Sequence, residues 1–436
     1  MTAAPATPPG AAGEPSAPTA AAAARHAALD AWVADHFDEE VRFLQALVQV
    51  PTDTPPGDNA PHAQRTTELL AAMGLAAEQH PVPPALVHAA GLQSITNLIV
   101  RQRFGAGGLT IALNAHGDVV PPGEGWQHDP YGGEVVPDAD GGRLYGRAAA
   151  VSKSDFASFT FALRALAAVA PPAHGSVELH FTYDEEFGGE LGPGWLLQQG
   201  LTQPDLLIAA GFSYQVVTAH NGCLQLEVTV HGLASHAAYP ETGVDALQAA
   251  NRLLTALYDH NEVLRQRRSA VAGITHPYLN VGRIEGGSNT NVVPGKVVLK
   301  LDRRMIPEED ATAVEAEVRA LIDTALAPCP GIRAEVRRLL LARSLQPLPG
   351  HERLAATLQQ HAQAVFGEPV PTSGTPLYTD VRLYGERGVP AVIYGAGPHT
   401  VLESNAKRAD EHVQLADLKR ATQVIARALS DLLGPG

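Results

Sequence analysis

The sequence predicts an α/β protein in which a mostly parallel sheet is interrupted by a smaller α+β domain. The chain has 436 residues, which is too long for one compact core. Helical and extended patterns alternate in its first and last parts, as expected of parallel strands that helices cover on both faces. Between these parts, the order strand, helix, strand, strand, helix, strand is typical of a ferredoxin-like unit.

Apolar residues at helical spacing predict the first helices, and apolar runs predict the first strands. The predicted helices are residues 25–50, 66–73 and 155–169. The predicted strands are residues 95–101, 109–114 and 176–181. The second of these strands is nearly all apolar, so it should lie in the centre of the sheet.

The pattern changes after about residue 219. Alternating residues predict strands at 224–231, 278–284, 297–303 and 332–340, and helical spacing predicts helices at 243–258 and 310–327. Helix and strand alternate again at 353–366 and 391–394, and a closing helix runs over about 415–433.

These patterns divide the chain into domains. The expected catalytic domain comprises residues 25–219 and 331–436, and the expected inserted domain comprises residues 220–330. Residues 1–24 are rich in alanine and proline. We expect them to be disordered, because they have too little apolar surface to offset the entropy lost on ordering.

The composition excludes several kinds of partner. The net charge of −15 disfavours nucleic acid and anionic membranes. No apolar stretch approaches the roughly 18 residues that span a bilayer. The sequence also lacks the pattern of a secretory signal, which is a basic start followed by an apolar stretch. Cys223 and Cys329 are far apart and have no disulfide or thiolate metal spacing. We therefore expect a cytoplasmic protein with a small-molecule substrate.

An acidic pair, Glu185 and Glu186, follows the predicted strand at 176–181 and precedes two glycines. Adjacent carboxylates repel each other, and a buried carboxylate needs a partner or a proton. Open α/β sheets bind their ligands at the carboxyl ends of strands. The pair therefore favours a cation-binding or acid–base site.

His116 and Asp118 follow the predicted central strand. Residues two apart in an extended chain share a face, so Asp118 could orient His116. An isolated His-x-Asp is more often a solvated turn. Its position at a strand end, before proline and glycine, favours the functional interpretation.

Three further polar residues lie in the predicted inserted domain. His236 stands between a strand and a helix, where it could meet an anion. Asn291 lies in a polar loop, and Arg304 could bind a carboxylate through two hydrogen bonds. The ordinary alternatives, a surface histidine and a solvated strand edge, remain open at this point.

Together these segments resemble the M20 family of metallopeptidases and amidohydrolases, the group of aminoacylase, acetylornithine deacetylase and succinyl-diaminopimelate desuccinylase. The resemblance covers about residues 28–433. It rests on His-Gly-Asp-Val-Val-Pro, Asp-Glu-Glu-Phe-Gly-Gly, Ser-His-Ala-Ala-Tyr-Pro and Asn-Val-Val-Pro. It implies an aminopeptidase-like catalytic domain with two zinc ions, an inserted lid domain through which the protein forms a homodimer, and hydrolysis of N-acylated amino acids or small peptides.

The resemblance also implies roles for single residues. His116 and Glu186 would be metal ligands, Asp118 would orient His116, and Glu185 would be the general base. The lid domain would supply the groups that bind the substrate carboxylate or the oxyanion, namely His236, Asn291 and Arg304.

Three of the five metal ligands that the family leads us to expect are replaced. Val151 stands in place of a bridging aspartate, Gly211 in place of a further acidic residue, and Lys407 in place of a histidine. Valine offers no lone pair, glycine offers no side chain, and lysine brings a positive charge. Catalytic zinc usually has three protein ligands, so His116 and Glu186 are too few for two ions.

We therefore expect a site without a resident metal or other cofactor, in which the ammonium of Lys407 stands beside Glu186. Burial can bring the pKa of a lysine toward neutrality. Glu185, His116 and Lys407 could then transfer protons without a metal. The expected substrate is a small carboxylate-bearing amide or N-acyl amino-acid derivative. The expected reaction is amide hydrolysis, or else elimination, cyclisation or isomerisation.

Other interpretations remain open. Asp155 or His399 could rebuild a metal site that holds one weakly bound zinc or cobalt ion, which would make the protein a metal-dependent amidohydrolase. The same fold could serve as a non-catalytic binding protein. A decayed, inactive site is a further alternative, although the retained acidic pair, His116 and Asp118 argue against it.

Overall fold

The computed structural model describes residues 19–400 and 402–434. Most of the predicted disordered segment, residues 1–24, lies outside the described residues. Its last part is helical, contrary to that prediction, because the first helix begins at Ala20. The Thr19 side chain accepts a hydrogen bond from the amide of Ala22 at 3.2 Å. An alanine run behind a threonine N-cap favours a helix.

The described residues form ten α-helices. They are α1 Ala20–Val48, α2 Ala60–Ala72, α3 Pro84–Ala89, α4 Lys153–Val169, α5 Pro193–Gln198, α6 Ala246–Leu264, α7 Ala311–Leu326, α8 His351–Phe366, α9 Arg382–Gly385 and α10 Leu415–Leu433. None of these helices is long and apolar enough to cross a membrane.

The same residues form seventeen strands. They are β1 Ala77–Pro81, β2 Thr96–Arg103, β3 Thr110–His116, β4 Glu134–Val136, β5 Arg143–Tyr145, β6 Ser176–Thr182, β7 Leu206–Ala209, β8 Val216–His220, β9 Gly222–His231, β10 Ser235–His236, β11 Tyr278–Gly286, β12 Val292–Val293, β13 Lys296–Met305, β14 Arg333–Ala342, β15 Thr372–Thr375, β16 Ala391–Ile393 and β17 His412–Gln414.

Eight strands form the large sheet, in the order β1-β2-β6-β3-β7-β16-β8-β15. The central neighbours β6, β3, β7 and β16 run parallel to one another. The strands β1 and β2 add an antiparallel edge. The strand β3 is buried from Ile111 to His116, which explains its apolar sequence. The predicted α/β fold with a mostly parallel sheet is confirmed.

The inserted domain has its own antiparallel sheet, in the order β11-β13-β9-β14, and its own core with α6 and α7. The strand β14 pairs with β9 from Arg333↔His231 to Ala342↔Cys223. The domain boundary predicted at residue 330 is therefore wrong, and the inserted domain ends after β14. The strand β14 belongs to this sheet because its hydrogen-bonding partner is β9.

A small antiparallel sheet, β17-β5-β4, positions part of the site. Next to it, the amide of Gly146 donates to the carbonyl of Glu411 at 2.8 Å. This pairing places the segment that holds Val151 beside the segment that holds Lys407.

Candidate active site

A cavity of about 340 Å³ lies where the parallel strands of the large sheet end. His116 ends β3, Glu185 follows β6, and Gly211 follows β7. Six of the residues that the sequence singled out line this cavity: His116, Val151, Asp155, Glu185, Gly211 and Lys407. The fold thus brings together segments that are up to about 290 residues apart in the chain.

His116 is held by hydrogen bonds at its backbone and at its ring. Its amide donates to Ser152 Oγ at 3.0 Å. Its Nδ1 lies 2.9 Å from the carbonyl oxygen of Asp118, and its Nε2 lies 3.9 Å from Glu185 Oε2. Burial alone would lower the pKa of His116, but the carboxylates of Glu185 and Asp118 raise it to about 10. The surrounding carboxylates therefore favour the protonated form of the ring.

The carboxylate of Asp118 holds the backbone of the acidic pair by hydrogen bonds, and it lies farther from the imidazole of His116. Its buried carboxylate accepts hydrogen bonds from the amides of Glu185 at 3.2 Å and Glu186 at 3.0 Å. Its distance to His116 Nδ1 is 3.5 Å. Burial would raise the pKa of Asp118, but His116 and the two amides lower it. The predicted orientation of His116 therefore depends mainly on the backbone carbonyl of Asp118.

The acidic pair occupies one turn of 3₁₀-helix, Glu185–Phe187, after β6. Burial raises the pKa of Glu185 to about 8, and the negative charge of Glu186 adds to this effect against the attraction of His116. Glu186 Oε2 accepts a hydrogen bond from Lys407 Nζ at 2.7 Å. Glu186 Oε1 is buried and has no hydrogen-bond partner among the described residues.

Lys407 lies at the mouth of the cavity, with half of its side chain exposed. Its backbone has a positive φ of 63°. Its amide donates to Glu411 Oε2 at 3.3 Å, and Glu411 is itself paired with Arg147 at 2.6 Å. Burial would lower the pKa of Lys407, but Glu186 and Glu185 raise it. The predicted shift toward neutrality is therefore wrong, because two carboxylates stabilise the ammonium.

Two aspartates complete the acidic lining. Asp155, on α4, accepts a hydrogen bond from the amide of Ala396 at 2.7 Å, and burial raises its pKa to about 7. Asp380 was missed from the sequence. Burial raises its pKa to about 6 against the attraction of His116. The sequence indicates Asp380 only as an acidic residue a few positions after β15, and β15 is short and has no apolar pattern that would predict a strand.

His399, one of the two residues considered as replacement ligands, does not line the cavity within the described part of the chain. It is exposed, and its ring meets the ring of Tyr214 edge-on at 4.6 Å. The other, Asp155, does reach the cavity.

The predicted substrate-binding residues do not meet in this cavity within the described residues of one chain. His236 ends β10, and Asn291 directly precedes β12, the strand that pairs with β10. The amide of Ala237 donates to the carbonyl of Asn291 at 2.9 Å. The Arg304 guanidinium comes closer, since it lies 5.4 Å from the centre of the Tyr378 ring, which does line the cavity. Asp302 already pairs with Arg304 at 2.6 Å.

Comparisons with known proteins point to one family. Residues 112–431 match the family model described as peptidase family M20/M25/M40. An acetylornithine deacetylase of Myxococcus xanthus is 28% identical over 380 residues, which are 86% of this chain and 93% of that protein. A succinyl-diaminopimelate desuccinylase of Leptothrix cholodnii is 28% identical over 385 residues, which are 84% of this chain and 91% of that protein.

Solved structures show the same fold. An M20 family metallo-carboxypeptidase from Sulfolobus solfataricus superposes with a TM-score of 0.72 at 18% identity, covering 90% of this chain and 98% of that chain. A dinuclear metal binding M20 peptidase from Bacillus subtilis superposes with a TM-score of 0.63 at 16% identity, covering 90% of this chain and 97% of that chain.

Proposed function

Because the chain belongs to peptidase family M20/M25/M40, whose members hydrolyse amide bonds, we propose that it cleaves a small carboxylate-bearing amide without a resident metal. An N-acyl amino acid is the expected type of substrate. The observation that carries the proposal is the 2.7 Å contact between Lys407 Nζ and Glu186 Oε2. An ammonium thereby neutralises a carboxylate that the family resemblance assigns to a metal.

The lining of the cavity does not fit a pair of zinc ions. Val151 and Gly211 contribute no side-chain donor, and the ammonium of Lys407 repels a cation. A side chain at position 211 would also clash, because a Cβ there would lie 2.1 Å from Ile393 Cγ2. Ile393 therefore occupies the space that an acidic ligand at this position would need.

The groups that remain support acid–base hydrolysis. Glu185, once ionised, would take a proton from water while the water oxygen forms a bond to the amide carbon. Lys407 and the imidazolium of His116 would stabilise the negative charge that develops on the carbonyl oxygen. Glu185 would then give its proton to the amide nitrogen as the C–N bond breaks. The products are a carboxylic acid and an amine, which exchange a proton with solvent.

An assay in the presence of a chelator tests the proposal. Purified protein is treated with EDTA and assayed against N-acetyl and N-succinyl amino acids, the acyl groups named by the relatives. We expect hydrolysis to continue in EDTA and to be lost in Glu185→Gln. Hydrolysis that stops in EDTA and returns with zinc or cobalt would contradict the proposal.

A specific observation favours a second candidate, a metal-dependent amidohydrolase with one ion. Asp380 Oδ2 is buried without a hydrogen-bond partner in the described structure, and so is Glu186 Oε1. Buried carboxylate oxygens normally have a partner, and a zinc or cobalt ion would supply one. Hydrolysis that depends on one equivalent of metal, and that is lost in Asp380→Asn, would support this candidate.

A further inference from the structure

Three helices of the catalytic domain meet at a cluster of two imidazoles and one carboxylate. His26 lies on α1, His361 on α8 and Asp431 on α10. His26 Nε2 is 2.9 Å from Asp431 Oδ1, and His361 Nε2 is 2.9 Å from Asp431 Oδ2. Among the described residues, these three lie outside the lining of the catalytic cavity, so the proposed reaction does not use them.

The donor atoms have the spacing of a metal site. Over residues 19–400 and 402–434, this is the one group of three His, Cys, Asp or Glu residues whose possible ligand atoms all lie within 4.8 Å of one another. The two imidazole rings are nearly perpendicular, at 81°, with centroids 4.7 Å apart. Two imidazole nitrogens and one carboxylate oxygen, with water in the fourth position, are a ligand set that zinc accepts.

The burial of the cluster suits a metal. His26 and His361 are 7% and 2% exposed, and the Nε2 atom of each ring lies 2.9 Å from the carboxylate of Asp431. Zinc binds neutral imidazole and ionised carboxylate.

Arg25 holds the carboxylate from the outside. Its Nη2 donates to Asp431 Oδ1 at 2.8 Å, and its Nε donates to Ser430 Oγ at 2.8 Å. Groups that hold a ligand in this way orient it for a metal. The guanidinium also repels a cation, so the affinity should be lower than at a site without a neighbouring positive charge.

The geometry points to a zinc site formed by His26, His361 and Asp431, separate from the catalytic cavity. When zinc binds, each imidazole carries its proton on Nδ1, and Nε2 exchanges its hydrogen bond to Asp431 for a bond to the ion. The ion then ties the N-terminal helix α1 to α8 and α10. This inference does not depend on the proposed reaction, because it uses none of the residues assigned to that reaction.

Zinc binding to the full-length protein tests the inference. The protein is stripped with chelator, dialysed against micromolar zinc, and analysed for bound metal. His26→Gln and His361→Gln retain an N–H that can donate to Asp431 but remove a zinc ligand. Loss of a residue that merely supports a ligand costs about 10–100-fold in metal affinity, so loss of a ligand should cost at least as much. We expect one equivalent in the unmodified protein and none in either variant.

Two matched variants locate the ion. His36→Gln changes another histidine of α1, and Glu186→Gln changes the carboxylate that pairs with Lys407 at the catalytic cavity. Both variants should still bind one equivalent of zinc, and circular dichroism should show that all four variants are folded. The unmodified protein should also unfold at a lower temperature after chelation, and His26→Gln should show no such change. The inference is overturned if the unmodified protein binds no zinc, or if either ligand variant keeps its zinc.

Discussion

At the scale of single residues, the proposed metal-independent hydrolysis depends on the contact between Lys407 and Glu186. In the proposed reaction, the ammonium stabilises an oxyanion and keeps Glu186 neutralised. We therefore predict that Lys407→Met lowers kcat by about 100-fold, the usual effect of removing one donor to an oxyanion. Steady-state assays in EDTA measure this effect.

Arg408→Met is the matched control for Lys407→Met, because Arg408 is an exposed cation at the next position. It should leave kcat unchanged. An unchanged kcat in Lys407→Met would remove Lys407 from the mechanism.

The acidic pair and the imidazole also predict the pH dependence. Glu185 acts as a base only when ionised, and burial raises its pKa to about 8. His116 stabilises charge only when protonated, and its neighbouring carboxylates raise its pKa against the effect of burial. We therefore expect kcat/KM to rise from acid to mildly alkaline pH and to fall again at higher pH, which a pH–rate profile measures. A rise complete near pH 5, as for an ordinary carboxylate, would exclude Glu185 as the base.

Glu40 predicts a pH dependence of stability. It is fully buried on α1, and Thr422 Oγ1 donates to its Oε1 at 2.6 Å. Burial raises its pKa to about 8, so the folded state favours the protonated form. The stability of the fold with respect to Glu40 is therefore highest below pH 4.5, the approximate pKa of the side chain in the unfolded state. This stability is lost as the pH rises toward 8. We expect Glu40→Gln to stabilise the protein at pH 9 by on the order of 5 kcal/mol and to have little effect at pH 4.

Urea unfolding at the two pH values checks the prediction for Glu40. Glu39→Gln removes a neighbouring, more exposed carboxylate that pairs with Arg164 at 3.0 Å. As a surface pair, it should change stability by less than about 1 kcal/mol at either pH. An equal effect of Glu40→Gln at both values would contradict the prediction.

At the scale of elements, one lysine joins the end of α1 to the start of α4. Lys153 Nζ donates to the carbonyls of Leu47 at 3.2 Å and Val50 at 2.9 Å. We predict that Lys153→Met lowers the free energy of unfolding by about 2–4 kcal/mol, because two buried carbonyls lose their hydrogen-bond donor. Urea unfolding measures the loss. Lys419→Met, a change of a partly exposed lysine on α10, should cost much less.

Apolar spacing predicted the long helices and central strands well, and the ends of elements less well. Residues 415–433 were predicted as the last helix, and α10 has those bounds. Residues 332–340 were predicted as the last strand of the ferredoxin-like unit, where β14 lies, but the boundary at residue 330 left this strand in the catalytic domain. A strand pattern shows that a segment is extended but not which strand pairs with it, so it did not correct the boundary. The start of α1 was missed because the alanine run offers propensity and a cap rather than an apolar pattern.

At the scale of the whole molecule, the exposed apolar side chains of the inserted domain support the proposed homodimer. Leu233, Tyr239 and Leu247 are 57%, 64% and 48% exposed. We predict that the protein sediments as a dimer at micromolar concentration and that Leu233→Asp/Leu247→Asp is monomeric. Leu86→Asp, at a leucine of the catalytic domain that is 47% exposed, should remain a dimer. A monomeric unmodified protein would contradict the proposal.

The parts of the candidate site differ in how far the sequence could predict them. His116 and Glu185 were predicted because both follow strands of one parallel sheet. Asp380 was missed because its strand, β15, is short and has no apolar pattern. The His26 cluster could not be predicted, because its two ends are separated by 405 residues and depend on how three helices pack.

The inserted domain leaves the rest of the chain and returns to it at adjacent points. Cys223, near the start of β9, pairs with Ala342 at the end of β14. A linker of a few residues could therefore join the two parts of the catalytic domain in place of the inserted domain. The proposed dimer surface thus lies in a unit that could change without altering the residues that line the cavity.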